Sequence, residues 1–162
     1  MSRASQTDPA EQRALWRLLY RDWRPTRMGR VANRVAGWSS ALGLSPVAAL
    51  LEVRGRVSGR PRSTPVVIAT LDGERYLVSM LGPGSDWVKN VEAADGHAVL
   101  RQGGRRVVRL VAVPPAERAP VLREYVRVAT SGRNHLPVAV DSPLAEFEGL
   151  AERYPVYRID PV

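Results

Sequence analysis

Two short turn signals constrain this chain more than any other feature. Asp72-Gly73 separates the apolar runs Val66–Leu71 and Tyr76–Leu81, and Gly103-Gly104 separates Ala98–Arg101 from Arg106–Val113. Residues that tolerate positive φ, set between apolar runs, form tight hairpins whose twist matches that of the flanking strands. A further run, Val47–Val53, precedes the first hairpin, and Val156–Ile159 lies near the chain's end. Strands that arrive as neighbouring hairpins are antiparallel. A doubly wound parallel sheet would need a helical crossover between each pair. The pattern therefore predicts an α+β chain, a mostly antiparallel barrel with peripheral helices.

The helices fall between and around these strands. Asp86 opens a short one ending near Ala94, and Pro114-Pro115 opens another running to about Thr130, with Val121, Leu122, Tyr125 and Val128 on its buried face. Residues 131–143 read as loop, and Leu144–Arg153 as a last helix. Residues 1–46 differ in texture and read as an N-terminal helical extension to a barrel domain spanning 47–162. Asp8-Pro9 starts a helix carrying Leu15, Leu18, Leu19 and Trp23, which Pro25 interrupts. Val31, Val35, Trp38 and Leu42 keep to one face of a second, with Arg27, Arg30 and Arg34 off that stripe. A basic amphipathic helix of this kind either packs on the domain or lies on an anionic membrane surface.

Several chemistries are excluded by what is missing. There is no cysteine, and His97 and His135 are too far apart in sequence for a local ligand pair, so no metal site is expected. No Gly-Lys-Ser/Thr follows a glycine-rich turn, no dinucleotide fingerprint occurs, and no Gly-x-Ser-x-Gly elbow supports a hydrolase. Glu146 and Glu148, two apart on a helix, do not face each other. No stretch approaches 18 apolar residues and the N-terminus lacks an apolar signal core. The chain is expected in the cytoplasm, with contact at most peripheral to the inner face of the membrane.

Basic residues number 24 against 16 acidic ones, a net charge of +8, and Lys89 is the sole lysine. That field favours anionic partners. Nucleic acid is not expected, because stacking aromatics are not interleaved with the arginines. The local focus of charge is Arg54, Arg56, Arg60 and Arg62, accompanied by Ser58, Gly59, Ser63 and Thr64 and by no acid. Guanidinium groups bind phosphate with directional, often bidentate bonds, and hydroxyls or glycine amides complete an anion nest. A solvated basic loop between strands is the other reading of the same residues.

The segment Gly55-Arg56-Val57-Ser58-Gly59-Arg60-Pro61-Arg62-Ser63-Thr64-Pro65 resembles the GRxSGxxRxTP signature of the deazaflavin-dependent nitroreductase family. Trp87 and Asn90, the stretch Ala93-Ala94-Asp95-Gly96 and the closing Tyr154-Pro155-Val156-Tyr157-Arg158-Ile159 match further family motifs, so the likeness spans roughly residues 48–159. It implies a split β-barrel of the FMN-binding, flavin-reductase kind, pairing as a homodimer and binding coenzyme F420, whose phosphodiester and polyglutamyl tail are anionic. It also implies hydride transfer between the deazaflavin and an apolar, quinone-like or nitro-containing organic acceptor. Carried over by position, Arg56, Ser58, Arg60, Arg62 and Thr64 meet the phosphate and tail. Met80, Leu81 and Gly82 lie near the ring, and Trp87 and Asn90 shape that edge of the pocket. The chain departs from the pattern at Val57, where many members carry lysine, and in its short loop Gly82-Pro83-Gly84-Ser85.

The cofactor carries the reactivity in such chemistry, and a protein acid is optional. His135, in a loop and with an ordinary value near neutrality, and Tyr125 are the candidate proton donors. Two alternatives stay open beside a reductase: a non-catalytic binding or storage protein for F420, FMN or haem, with FMN the runner-up cofactor, and a basic nucleic-acid-binding protein.

Overall fold

The computed structural model describes residues 20, 21, 24, 25, 45–130 and 132–162. Of residues 1–44 this leaves only strands β1 (Tyr20–Arg21) and β2 (Arg24–Pro25), which pair antiparallel. The helical stripes expected at Leu15 to Trp23 and Val31 to Leu42 lie outside the described residues.

Six further strands follow: β3 (Ala48–Arg54), β4 (Pro61–Leu71), β5 (Glu74–Val78), β6 (His97–Arg101), β7 (Arg105–Ala112) and β8 (Val156–Pro161). They close into a barrel in the order β3-β4-β5-β8-β7-β6, every pair antiparallel. Both hairpin turns stand where the sequence puts them. Asp72 and Gly73 both take positive φ, 51° and 82°, as a primed two-residue turn requires. Helix α1 (Asp86–Ala93) leads from β5 to β6, and α2 (Arg118–Val128), α3 (Leu144–Glu148) and a short 3-10 turn (Gly132–His135) lie between β7 and β8. Peripheral helices on an antiparallel split barrel are the architecture the sequence predicts.

Period-two alternation sorts the side chains into two cores. Ala49, Leu51 and Val53 of β3 meet Ala98 and Leu100 of β6, Val108 and Leu110 of β7, and Ile68, Leu77, Tyr157 and Ile159 inside the barrel. Val88 and Val91 of α1 join this cluster and plug one end. The opposite faces of β4, β5 and β8 contribute Ala69, Val78 and Val156 to a second core, roofed by Val121, Leu122, Tyr125 and Val126 of α2 and Phe147 of α3. Each fully buried leucine here, such as Leu51, Leu77 and Leu122, stabilises the fold by roughly 1.5–3 kcal/mol. The outer faces of β3, β6 and β7 instead carry Glu52, Arg101, Arg105 and Arg109.

Three local expectations change. The basic connection, expected over 54–65, is confined to 55–60, because Pro61 already pairs with Arg54 and the ladder runs on through Thr64↔Leu51. Proline is tolerated there as the first strand residue. On α2 Val126 is buried as well as Val121, and Val128 is only partly covered. The last helix stops at Glu148. Beyond it, residues 150–153 make i→i−3 turns, and Arg118 donates to the carbonyl of Ala151 at 2.9 Å.

Candidate functional site in the split of the barrel

Strands β4 and β5 pair from Leu71↔Glu74 as far as Ile68↔Leu77 and then part. The first half of β4, residues 61–67, has β3 on one side and, among the described residues, no strand on the other. This is the split. One wall is β4 with the basic loop before it. The other is the turn following β5, residues 79–85, which leads into α1, and α1 is bonded to the basic loop at Arg56.

The basic loop is shaped by its own backbone. The Gly55 amide donates to the Arg60 carbonyl at 2.9 Å and the Gly59 amide to the Gly55 carbonyl at 2.8 Å. A Cβ on Gly55 would stand 3.0 Å from that Arg60 oxygen, and Gly59 has φ of 66°, so both positions favour glycine. The guanidinium of Arg54 lies over Gly59, 3.6 Å from where its Cβ would be. Ser58, Arg60 and Arg62 are exposed and Thr64 is half-buried. Among the described residues, no ion pair or side-chain hydrogen bond engages the guanidinium groups of Arg54, Arg60 or Arg62. Arg56 differs: it donates to Asn90 and pairs with Asp86 on α1. Val57 stands at the tip, 90% exposed.

The second wall is braced by two buried serines. Ser79 Oγ donates to the Gly82 carbonyl at 2.7 Å and meets Ser85 Oγ at 2.9 Å, while its amide donates to the Pro155 carbonyl at 2.9 Å. Gly82, with φ of 76°, would place a Cβ 3.4 Å from the Arg153 carbonyl. Met80 and Leu81 are half-buried on this turn. Trp87, on the first turn of α1, meets Tyr157 edge-to-face at 5.6 Å. Burial, and secondarily Glu92, pushes the Tyr157 phenol up to about 12.

The structure thus joins Arg56 to Asn90, puts Ser58, Arg60, Arg62 and Thr64 on one wall, and sets Met80, Leu81, Gly82 and Trp87 on the other. Tyr125 is on the buried face of α2, and its hydroxyl donates to Met80 Sδ at 3.5 Å. His135 lies in the 3-10 turn, its carbonyl accepting from the Tyr154 hydroxyl at 3.0 Å. Burial lowers its imidazole from the ordinary value. Sequence reasoning missed Ser79 and Ser85 as shapers of the site. The only signal for the serines was that they flank a Gly-Pro-Gly turn; Asp86, expected as an N-cap or a first-turn acid, is the first-turn acid, one residue past the N-cap Ser85.

A shallow concavity of about 440 Å³ opens elsewhere, between Asp95, Arg109, Val111 and Asp160 beyond the other end of α1. Its two carboxylates and single arginine make it a poor match for a phosphate. Among the described residues no cluster of three His, Asp or Glu could hold a metal ion, and no helix is long and apolar enough to cross a membrane.

Residues 6–143 match the family model described as F420H(2)-dependent quinone reductase. The chain belongs to this family. The match takes in most of the N-terminal segment and ends before α3 and β8. No curated protein matches the chain. Among solved structures, a protein of unknown function from Agrobacterium tumefaciens is similar over 81% of this chain and 54% of its own, at 19% identity and a TM-score of 0.53. This chain thus spans about half the length of that protein. A protein described as a domain-swapped dimer is similar over 82% of this chain and 96% of its own, at 15% identity and a TM-score of 0.51. A third, described as an F420-H2 dependent reductase, covers 71% of this chain and 95% of its own at 19% identity, with a TM-score of 0.48. The first two support the fold, and membership of the quinone reductase family links the chain to F420-dependent oxidoreductases.

Proposed function

We propose that the chain is a reductase that binds coenzyme F420 in the split and passes a hydride between it and an apolar, quinone-like or nitro-containing organic acceptor. The observation that carries this reading is the joining, through α1, of two unlike walls: an arginine-rich loop with three guanidinium groups uncommitted among the described residues, and a half-buried apolar turn. A ligand with an anionic tail and a flat uncharged ring system matches both.

Arg60 and Arg62, with Arg54, Ser58 and Thr64, supply donors for the phosphodiester and the carboxylates of the tail. Gly59 leaves its backbone open to close approach. Met80, Leu81 and Gly82 offer an apolar edge for the ring, and Trp87 stiffens that wall through Tyr157. When bound, reduced F420 supplies the hydride from C5 of its deazaflavin. The protein's part is to fix the ring, hold the charge and exclude water from the acceptor. Tyr125, whose hydroxyl donates to Met80 on the ring-side turn, and His135 in the 3-10 turn are the candidate proton donors.

Pairing with a second copy belongs to this reading, supported by the relative described as a domain-swapped dimer, and light scattering on the eluted protein tests it. So does contact of the basic amphipathic N-terminal segment with the membrane's inner face, where quinones reside. Flotation with anionic vesicles tests that.

The deciding experiment is a titration with F420 followed by tryptophan quenching, with FMN alongside, then loss of reduced F420 absorbance on adding a quinone. Saturable F420 binding that weakens about tenfold in Arg60→Gln or Arg62→Gln supports the proposal. No binding of F420 overturns it, and binding of FMN in its place moves the site to a flavin.

A further inference from the structure

The loop that carries the arginines is tied down by one of them. The backbone amide of Arg56 donates to Asn90 Oδ1 at 3.1 Å, and its own guanidinium donates to the same oxygen at 2.9 Å. The guanidinium also reaches the Asp86 carbonyl at 3.4 Å and its carboxylate at 3.0 Å. Asn90 is 5% exposed. Its oxygen, accepting twice from one residue, has both lone pairs engaged and no capacity left for a ligand. The planar fork of Arg56 is likewise turned onto the first two turns of α1, whereas a phosphate ligand needs its fork open.

We propose that Arg56 and Asn90 are positioning residues, a latch that fastens the basic loop to α1. The latch fixes the separation of the two walls of the split, because α1 is continuous with the ring-side turn through Ser85. Anion contact then falls to Arg54, Arg60 and Arg62, which no such partner holds among the described residues. Loop order prepaid in this way raises affinity without any contact to the ligand. The identity of the anion rests on the F420 reading; the latch itself does not, and it is testable in the ligand-free protein.

The test joins amide exchange by NMR with F420 titration at several salt concentrations. Asn90→Ala should speed exchange of the Gly55 and Gly59 amides about tenfold and weaken F420 by a similar factor, as loss of a charge-assisted bond does. Its dependence on salt should stay that of the wild type. Asn90→Asp, which keeps an acceptor oxygen, should restore both readouts, and adding Arg56→Gln to Asn90→Ala should cost little more. Arg60→Gln should instead leave exchange unchanged and flatten the salt dependence. Wild-type exchange rates in Asn90→Ala overturn the latch, as does an Arg56→Gln variant that behaves like Arg60→Gln. If Asn90→Ala does not fold, Arg56→Gln alone reads the exchange arm. Failure of the wild type to bind F420 removes the cofactor reading and leaves exchange to decide the latch.

Discussion

A Cβ on Gly96 would stand 2.5 Å from the carbonyl oxygen of Leu110, while the Leu110 amide donates to the Gly96 carbonyl at 2.8 Å. The chain leaving α1 therefore touches β7 backbone to backbone. Gly96 also has φ of 80°, and its amide closes the helix on the Val91 carbonyl at 2.9 Å. Any side chain here meets both a steric and a conformational penalty. Gly96→Ala is expected to cost about 2–4 kcal/mol, from positive φ together with a backbone clash. A urea unfolding curve checks this, and a midpoint equal to the wild type's would contradict it.

Ser79 is the second position where a small residue carries the site. Its hydroxyl, fully buried, links the Gly82 carbonyl to Ser85 Oγ and so spans the ring-side turn. Ser79→Ala leaves Ser85 with an unsatisfied buried hydroxyl and should cost about 1–3 kcal/mol. The turn should loosen as well, so F420 affinity should fall while Ser79→Thr, which keeps the hydroxyl, falls less. Equal loss in both variants would assign the effect to packing.

The hairpins were legible because two adjacent residues of positive φ, Asp72-Gly73, are a local signal that no distant contact overrides. The split itself was not. Where β4 leaves β5 depends on residues 79–85 turning away after Leu77, and that turn is set by bonds from Ser79 to Pro155, far along the chain. Trp87 was readable as a wall residue, yet its partner Tyr157 was not, since a closing strand does not announce what its inward side chains meet. Arg56 shows the same limit more sharply. As a residue of a basic loop it is indistinguishable from Arg60, and only the Asp86-to-Asn90 spacing on α1, which places both acceptors near one fork, separates their roles.

Tyr157 offers a spectroscopic handle on the plugged end of the barrel. Its hydroxyl donates to Glu92 at 3.4 Å, and burial followed by that carboxylate pushes it up to about 12. The folded chain keeps this proton where the unfolded chain, with an ordinary value near 10, loses it. Stability from the group is complete below about pH 10 and is lost as pH rises towards 12. Absorbance at the phenolate band should show one tyrosine ionising last, and Tyr157→Phe should remove that step. Retention of the late step in the variant would assign it to another tyrosine.

His135 gives the opposite sign. Burial lowers its imidazole, so on acidification the unfolded chain takes up a proton near pH 6.5 that the folded chain resists. The unfolded state then binds more protons, and stability rises with pH across that window. The contribution is fully present above about pH 6.5 and drains as pH falls from there. The Tyr154 hydroxyl bonds the backbone carbonyl of His135, so His135→Gln keeps that anchor while removing the titration. Carboxylates impose their own slope at lower pH in both proteins, which makes the difference between the two unfolding curves the quantity to read. From pH 7 to pH 5.5 the wild type should lose more stability than His135→Gln. Parallel curves would mean that the imidazole takes up its proton equally in the folded and unfolded chains.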